Sequence, residues 1–151
     1  TIVSSDKDLM QLYKKNVRLV DPIKKKFITA EDIVAKCGVD SKKVIDVQAL
    51  AGDSSDNVPG VPGIGVKTAA ELINKYGTLE NLLENANEIK QNKRRETLLE
   101  NKDKAVISKK LVTLKKDSPV KKAQEEFKLN EIDKDKLYKF LREMELKKML
   151  S

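Results

Sequence analysis

The stretch Gly52-Asp53-Ser54-Ser55-Asp56-Asn57-Val58-Pro59-Gly60-Val61-Pro62-Gly63-Ile64-Gly65-Val66-Lys67-Thr68-Ala69 decides how this chain is read. Residues 52–65 hold four of the six glycines and two of the four prolines, so they form a structured loop and not a helix or strand. Val66, Ala69, Ala70 and Ile73 then recur at helical spacing and predict a helix over residues 66–76, stopped by Gly77. A G-x-G turn at Gly63-Ile64-Gly65 that opens a helix offers free backbone N–H groups and the positive end of the helix dipole to an anion. Lys67 and the Thr68 hydroxyl are placed to reach the same phosphate. The dinucleotide fingerprint is excluded, because Thr68 stands where its third glycine is required and no strand precedes the turn. A Walker loop is excluded as well, since it needs four residues between its first glycine and the G-K pair. Two readings remain for this corner: a sequence-independent grip on a DNA backbone, or a plain helix–turn–helix.

The first half of the stretch carries Asp53 and Asp56 behind Gly52, the glycine that closes a helix with Val44, Val47 and Ala51 on one face. A second acidic pair, Asp6 and Asp8 in Ser4-Ser5-Asp6-Lys7-Asp8, falls where a β-favouring run gives way to a helix. Each pair has an ordinary explanation as a helix cap or an Asp/Ser turn. Together, four carboxylates brought close would repel one another without a cation between them, and hard divalent ions take such oxygen ligands.

Composition narrows the chemistry. The 151 residues are 39% hydrophobic and 36% charged, one ordinary domain or one and a part, with no apolar run of membrane-spanning length. With no histidine and Cys37 alone, there is no internal disulfide, no multi-cysteine metal site and no imidazole chemistry. A net charge of +7 leans toward a polyanionic partner. Residues 90–122 carry twelve Lys/Arg against four Asp/Glu, with Lys93-Arg94-Arg95 as the densest cluster, which suggests a DNA-tracking surface. Six aromatics without a tryptophan argue against base-stacking recognition of single strands.

The rest of the pattern gives a mostly helical chain with a small β–α opening. Residues 1–5 read as a short strand, Asp6 as the cap of a helix over residues 7–15, residues 17–20 as a second strand and Phe27-Ile28 as a short return. Thr29-x-x-Asp32 reads as a capping box for a helix ending at Gly38. Thr78 caps a short helix running through Leu83, residues 92–112 form two helices broken near 101–103, and residues 115–124 run extended. A last helix spans residues 133–149 with Leu137, Leu141 and Met144 as its stripe. The chain opens on Thr1 inside a β-favouring run, which predicts a piece of a longer protein. Three parts are expected: 1–40, the remnant of an α/β core; 41–113, the loop-bearing helical part; and 114–151, an extended segment and closing helices.

Three strings, SSDKDLMQL, ALAGDSSDNVPGVPGIGVKTA and LINKYGTLENLL, resemble the 5′-nuclease domain of bacterial DNA polymerase I, in the flap-endonuclease superfamily. The resemblance runs in order over residues 1–113 and implies the C-terminal part of that domain. The implied fold is α/β overall and mostly α-helical here, an edge of a Rossmann-like sheet beside a helix–three-turn–helix DNA-binding subdomain. The implied activity is 5′-3′ exonuclease and 5′-flap endonuclease action on DNA and RNA primers in replication and repair, by two-metal (Mg²⁺ or Mn²⁺) phosphodiester hydrolysis. Asp6, Asp8, Asp53 and Asp56 would then be metal-site carboxylates. Gly60, Gly63, Ile64, Gly65, Lys67, Thr68, Lys93, Arg94 and Arg95 would contact duplex or flapped DNA, and K⁺ would sit at the loop 60–65. The family further implies a bacterial cytoplasmic, nucleoid-associated monomer joined to the rest of a polymerase chain. Its remaining acidic residues would lie upstream of Thr1, so this chain is expected to bind DNA without cutting it. The rival readings are a non-catalytic helix–hairpin–helix module and, more distantly, a helical interaction scaffold.

Overall fold

The computed structural model describes residues 1–119, 124–129 and 131–150. They divide into two compact units, residues 1–115 and 116–151.

The first unit begins with a three-stranded sheet, β1 (Ile2–Val3), β2 (Leu19–Asp21) and β3 (Lys26–Ile28), in the order β1-β2-β3. β1 runs parallel to β2, pairing Ile2 with Leu19, and β2 runs antiparallel to β3, pairing Leu19 with Ile28. The hairpin turns on Asp21, whose carboxylate accepts from the N–H groups of Ile23 at 2.9 Å and Lys24 at 3.0 Å. Between β1 and β2, Asp6 caps a helix as expected, but it is a 3₁₀ helix that stops at Leu12 and not an α-helix reaching residue 15. Asp6 uses its side chain on the N–H of Asp8, only two residues on, which favours the tighter coil. The segment is fastened to the helices by Gln11, which donates to the Val112 carbonyl at 2.9 Å and accepts from the Leu114 N–H at 3.1 Å.

Six helices follow: α1 (Ala30–Cys37), α2 (Val44–Ala51), α3 (Val66–Tyr76), α4 (Leu79–Glu84), α5 (Asn92–Glu100) and α6 (Lys102–Val112). The capping box at α1 forms as read, with Thr29 and Asp32 each bonding the other's backbone N–H. α2 lies at the centre, packed against α3 and α6. Its sequence is apolar almost all round, and Val44, Val47, Ala49 and Leu50 are buried. Ile33 of α1, Ile73 of α3, Leu79 and Leu82 of α4 and Leu98 of α5 complete the core.

One buried charge, Asp46 on α2, is held inside this core by Lys109 of α6 at 2.6 Å, and Lys109 also reaches Glu80 of α4 at 2.8 Å. Burial opposes the Lys109 charge, yet its two carboxylate partners outweigh that and hold its ammonium above the ordinary lysine value. The same contact holds the Glu80 carboxyl below its ordinary value. One lysine therefore ties three helices.

The second unit contains a 3₁₀ turn at Gln124–Phe127, α7 (Lys134–Glu143) and a 3₁₀ turn at Lys147–Met149. Asp133, expected as the first residue of the last helix, is instead the cap of α7, and the helix stops at Glu143, short of residue 149, because Glu145 adopts a positive φ of 54°. Residues 120–123 of the expected extended passage lie outside the described residues. Among the described residues no helix is long and apolar enough to cross a membrane.

Removing the Lys109 side chain leaves Asp46 buried and unpaired, whereas removing Glu80 breaks only an exposed pair. Lys109→Ala is expected to cost about 3 kcal/mol or more, and Glu80→Ala less than about 1 kcal/mol, in urea unfolding. Equal losses would refute the bridging role.

Candidate nucleic-acid interface and carboxylate cluster

The loop between α2 and α3 is built by backbone hydrogen bonds on a chain too short to wander. The Gly52 N–H closes α2 onto the Gln48 carbonyl at 2.8 Å. Asp53 and Val58 exchange N–H···O bonds at 2.9 and 2.8 Å, so residues 53–58 form a tight turn with Ser54, Ser55, Asp56 and Asn57 exposed at its tip. Val58, Val61 and Ile64 are buried pegs, and the Val61 N–H donates back to Leu50 of α2 at 2.8 Å. The chain then passes so close to its own start that a Cβ on Gly60 would lie 2.5 Å from the Gly52 nitrogen. Only glycine fits there.

Gly63 and Gly65 differ. A Cβ on either would meet nothing within 4 Å, and Gly65 has an ordinary φ of −86°. Gly63 is needed for its φ of +74°, whereas neither crowding nor backbone angle demands a glycine at Gly65, the N-cap of α3. Gly65 brings no side chain to cap α3, so the N–H groups of the first turn face outward beside the exposed Lys67 and half-buried Thr68. Ile64, grouped with these glycines in the sequence, is buried and serves as a peg.

The loop is also held from α6. The Ser108 hydroxyl, fully buried, accepts from the Gly60 N–H at 2.9 Å. This residue was missed in the sequence, although the signal is there: Ala105, Ser108 and Val112 share the buried stripe of α6, and a serine on such a stripe calls for a buried partner.

The structure brings three of the four aspartates together around a lysine. Lys7 of the 3₁₀ helix forms an ion pair with the buried Asp53. The hydrogen bond to Asp53 raises the Lys7 ammonium above its ordinary pKa against the cost of burial, and the charges of Asp8 and Asp56 add to it. The same bond lowers the Asp53 carboxyl, helped by the Ser55 N–H at 2.9 Å. Asp56 moves the other way, because the Asp53 charge, partial desolvation and the Asp8 charge all disfavour its ionised form. Asp8 accepts from the Gln48 side-chain amide on α2, whose other end, Oε1, is buried without a partner. Asp6 spends its side chain as the cap of the 3₁₀ helix.

All donors here are oxygens, which suits a hard cation, but the placement does not. Among the described residues no three His, Cys, Asp or Glu side chains are positioned to hold a metal ion. The Lys7 ammonium pairs with Asp53 and offsets part of the charge that the three carboxylates bring together.

The basic cluster at the start of α5 is divided in its uses. The Arg95 guanidinium is spent on the Ile89 carbonyl and the Asn92 side chain, both at 3.0 Å. Lys93 is exposed and Arg94 half-buried. Lys109 of the wider basic stretch is structural, and Lys121 and Lys122 lie outside the described residues.

Residues 39–135, which contain this loop and both flanking helices, match the family described as 5′-3′ exonuclease, C-terminal SAM fold. The chain belongs to that family. Among relatives of this exonuclease family, the chain is 53% identical over 145 residues to DNA polymerase I of Rhizobium leguminosarum, covering 96% of this chain and 14% of that protein. It is 39% identical over 149 residues to a 5′-3′ exonuclease of Aquifex aeolicus, covering 99% of this chain and 50% of the other. The chain thus spans about half the length of one curated relative and a small part of the other. In three dimensions it shares the fold of T5 5′-exonuclease with zinc bound, at a TM-score of 0.68 and 23% identity over 73% of this chain and 41% of that one. A T5 flap endonuclease described as a complex with DNA and metal ions gives a TM-score of 0.67 at 22% identity, with the same coverage. The resemblance seen in the sequence is therefore correct at the level of family and of the mostly helical, helix–three-turn–helix-bearing fold.

Ser108→Ala leaves the Gly60 N–H buried without an acceptor, expected to cost about 1–3 kcal/mol. Amide hydrogen exchange at Gly60 should accelerate by more than the loss of global stability accounts for. Exchange that tracks global stability alone would deny Ser108 a specific hold on the loop.

Proposed function

We propose that this chain is the duplex-gripping part of a 5′-3′ exonuclease and flap endonuclease that acts on DNA, and on RNA primers, in bacterial replication and repair. The observation that carries this is the Gly63–Gly65 turn. Neither crowding nor backbone angle demands a glycine at Gly65, and this bare N-cap leaves the first turn of α3 open to close approach by an outside group. A phosphodiester backbone fits, because the uncapped first turn of α3, Lys67 and Thr68 supply backbone N–H groups, a cation and a hydroxyl at one place. Such contacts fix position on a duplex without reading its sequence.

Asp8, Asp53 and Asp56 belong, on this reading, to the divalent-metal site of the whole nuclease (Mg²⁺ or Mn²⁺), with further acidic residues supplied from outside these 151. Asp6 would join them only by giving up its role as a cap. On this reading the chain on its own binds DNA without cleaving it, which is supported by Asp53 being engaged by Lys7 and by no three carboxylates being set for a metal among the described residues. This favours a binding-only role for the isolated chain while leaving the parent an enzyme. A cytoplasmic location beside the nucleoid is part of this reading, supported by the bacterial polymerase relatives.

The test is fluorescence anisotropy on a labelled flapped duplex, with cleavage followed in Mg²⁺ and Mn²⁺. The chain should bind in a salt-sensitive way and release no product. Gly65→Ala should weaken binding about tenfold while costing the fold less than about 1 kcal/mol. Undiminished affinity in that variant would remove the grip from Gly65, and product released by the pure chain would contradict the binding-only role.

A further inference from the structure

At the far end of α3 from the glycine turn, an open groove of about 270 Å³ runs between Lys75 and Tyr76 on one side and Lys90, Gln91 and Arg94 on the other. Its floor is apolar and fixed, since Leu72 and Ile89 are both buried. Lys75 is steadied over the Tyr76 ring, 4.6 Å from its centroid, and donates to the Tyr76 hydroxyl at 3.1 Å. The other wall is steadied by Arg95, whose bonds to the Ile89 carbonyl and Asn92 pin the bend that carries Lys90 and Arg94.

Three cations, from α3, from the bend before α5 and from α5 itself, thus line one groove, and among the described residues none of them forms an ion pair. Glu71 is the acidic residue of the lining and leaves an excess of positive charge. The sequence around Arg94 is also set against its own helix. The first turn of α5 carries Lys93, Arg94 and Arg95 with no acidic residue and no side-chain cap, where the macrodipole disfavours cations. An arrangement that costs the free protein is relieved by an anion in the groove.

Position selects the anion. Ten residues of α3 separate Gly65 from Lys75, roughly 15 Å at a rise of about 1.5 Å per residue. That reach is comparable with the width of a DNA major groove, about 12 Å. We propose that the Lys75–Lys90–Arg94 groove is a second phosphate site for the duplex held at the start of α3, taking the backbone of the strand across the groove from the one at Gly65. The proposal rests on the duplex-gripping reading above. It assigns Lys75 and Lys90 a role in binding and gives Arg94 a phosphate of its own, distinct from the one at Lys67.

The experiment uses the full chain and measures affinity for a blunt duplex of about 20 base pairs, and for a single strand of equal length, across a salt series. Each lost phosphate contact should lower the slope of log K against log salt on the duplex by about 0.9. Lys90→Ala with Arg94→Ala should therefore lower it by between about 1 and 2, equally for unrelated sequences, and Arg94→Lys in place of Arg94→Ala should restore about half of the loss. Circular dichroism checks the fold, and Lys75→Gln with Lys90→Gln serves as a second pair of surface changes. An unchanged duplex slope in both double variants overturns the site. A loss confined to the single strand also overturns it, by making the groove a path for unpaired nucleic acid. If Gly65→Ala weakens the duplex while the double variants do not, the groove alone fails. If the wild-type chain binds no duplex, the gripping reading fails first and the groove with it.

Discussion

The contact on which the rest of the molecule depends is the one between the backbones of Gly52 and Gly60. A Cβ at Gly60 would overlap the Gly52 nitrogen, and one at Gly52 would lie 2.7 Å from the Val58 carbonyl oxygen. Because neither is present, the chain leaves α2, closes the 53–58 turn and returns to the top of α2 within nine residues. This closure points Asp53 back toward Lys7 and Asp8, and it leaves the Gly63–Gly65 turn facing outward at the head of α3. One steric condition thus sets both the acidic cluster and the exposed Gly63–Gly65 turn, separated by a few residues of backbone.

The lysines follow the same division. Lys7 and Lys109 each answer carboxylates that the fold has concentrated, and both are pushed above their ordinary pKa by those partners. Lys67, Lys75 and Lys90 are exposed and form no ion pair among the described residues. The first pair is committed to the fold. The second group keeps its charge available to a partner, which is where counterion release on binding a polyanion would come from. Net charge alone cannot make that distinction, because it counts the two kinds of lysine alike.

Much of this was legible in the sequence where local rules act. The capping box at Thr29 and Asp32, the Asp6 and Thr78 caps, the helix over Val66–Tyr76 and the break between α5 and α6 all follow from short-range chemistry and appear as read. The failures are cases of competition between neighbours. The opening helix stops at Leu12 because residues 14–17 close a bridge of their own, Lys14 with Val17. The last helix stops early because its final turn bonds backward, with the Leu146 N–H reaching the Leu141 carbonyl at 2.9 Å around a left-handed Glu145. Such a C-terminal motif does not require glycine, so composition did not announce it.

The carboxylate site was the least legible part, for a physical reason. Spacing shows that Asp6 and Asp8, or Asp53 and Asp56, are near each other along the chain, but not which atoms are already committed. Asp6 caps a helix, Asp8 accepts from Gln48, and Asp53 holds Lys7, so the four similar residues are in four different states. Asp56, exposed and carrying a raised pKa, is the one with charge still to be answered. An acidic cluster of this kind carries an electrostatic cost, and an internal ammonium meets it only in part, since three carboxylates converge on one cation. The remaining negative potential sits within a few residues of a turn suited to phosphate. Asp53, Asp56 and the exposed Gly63–Gly65 turn belong to one loop, and the buried pegs Val58, Val61 and Ile64 between them hold it on the core.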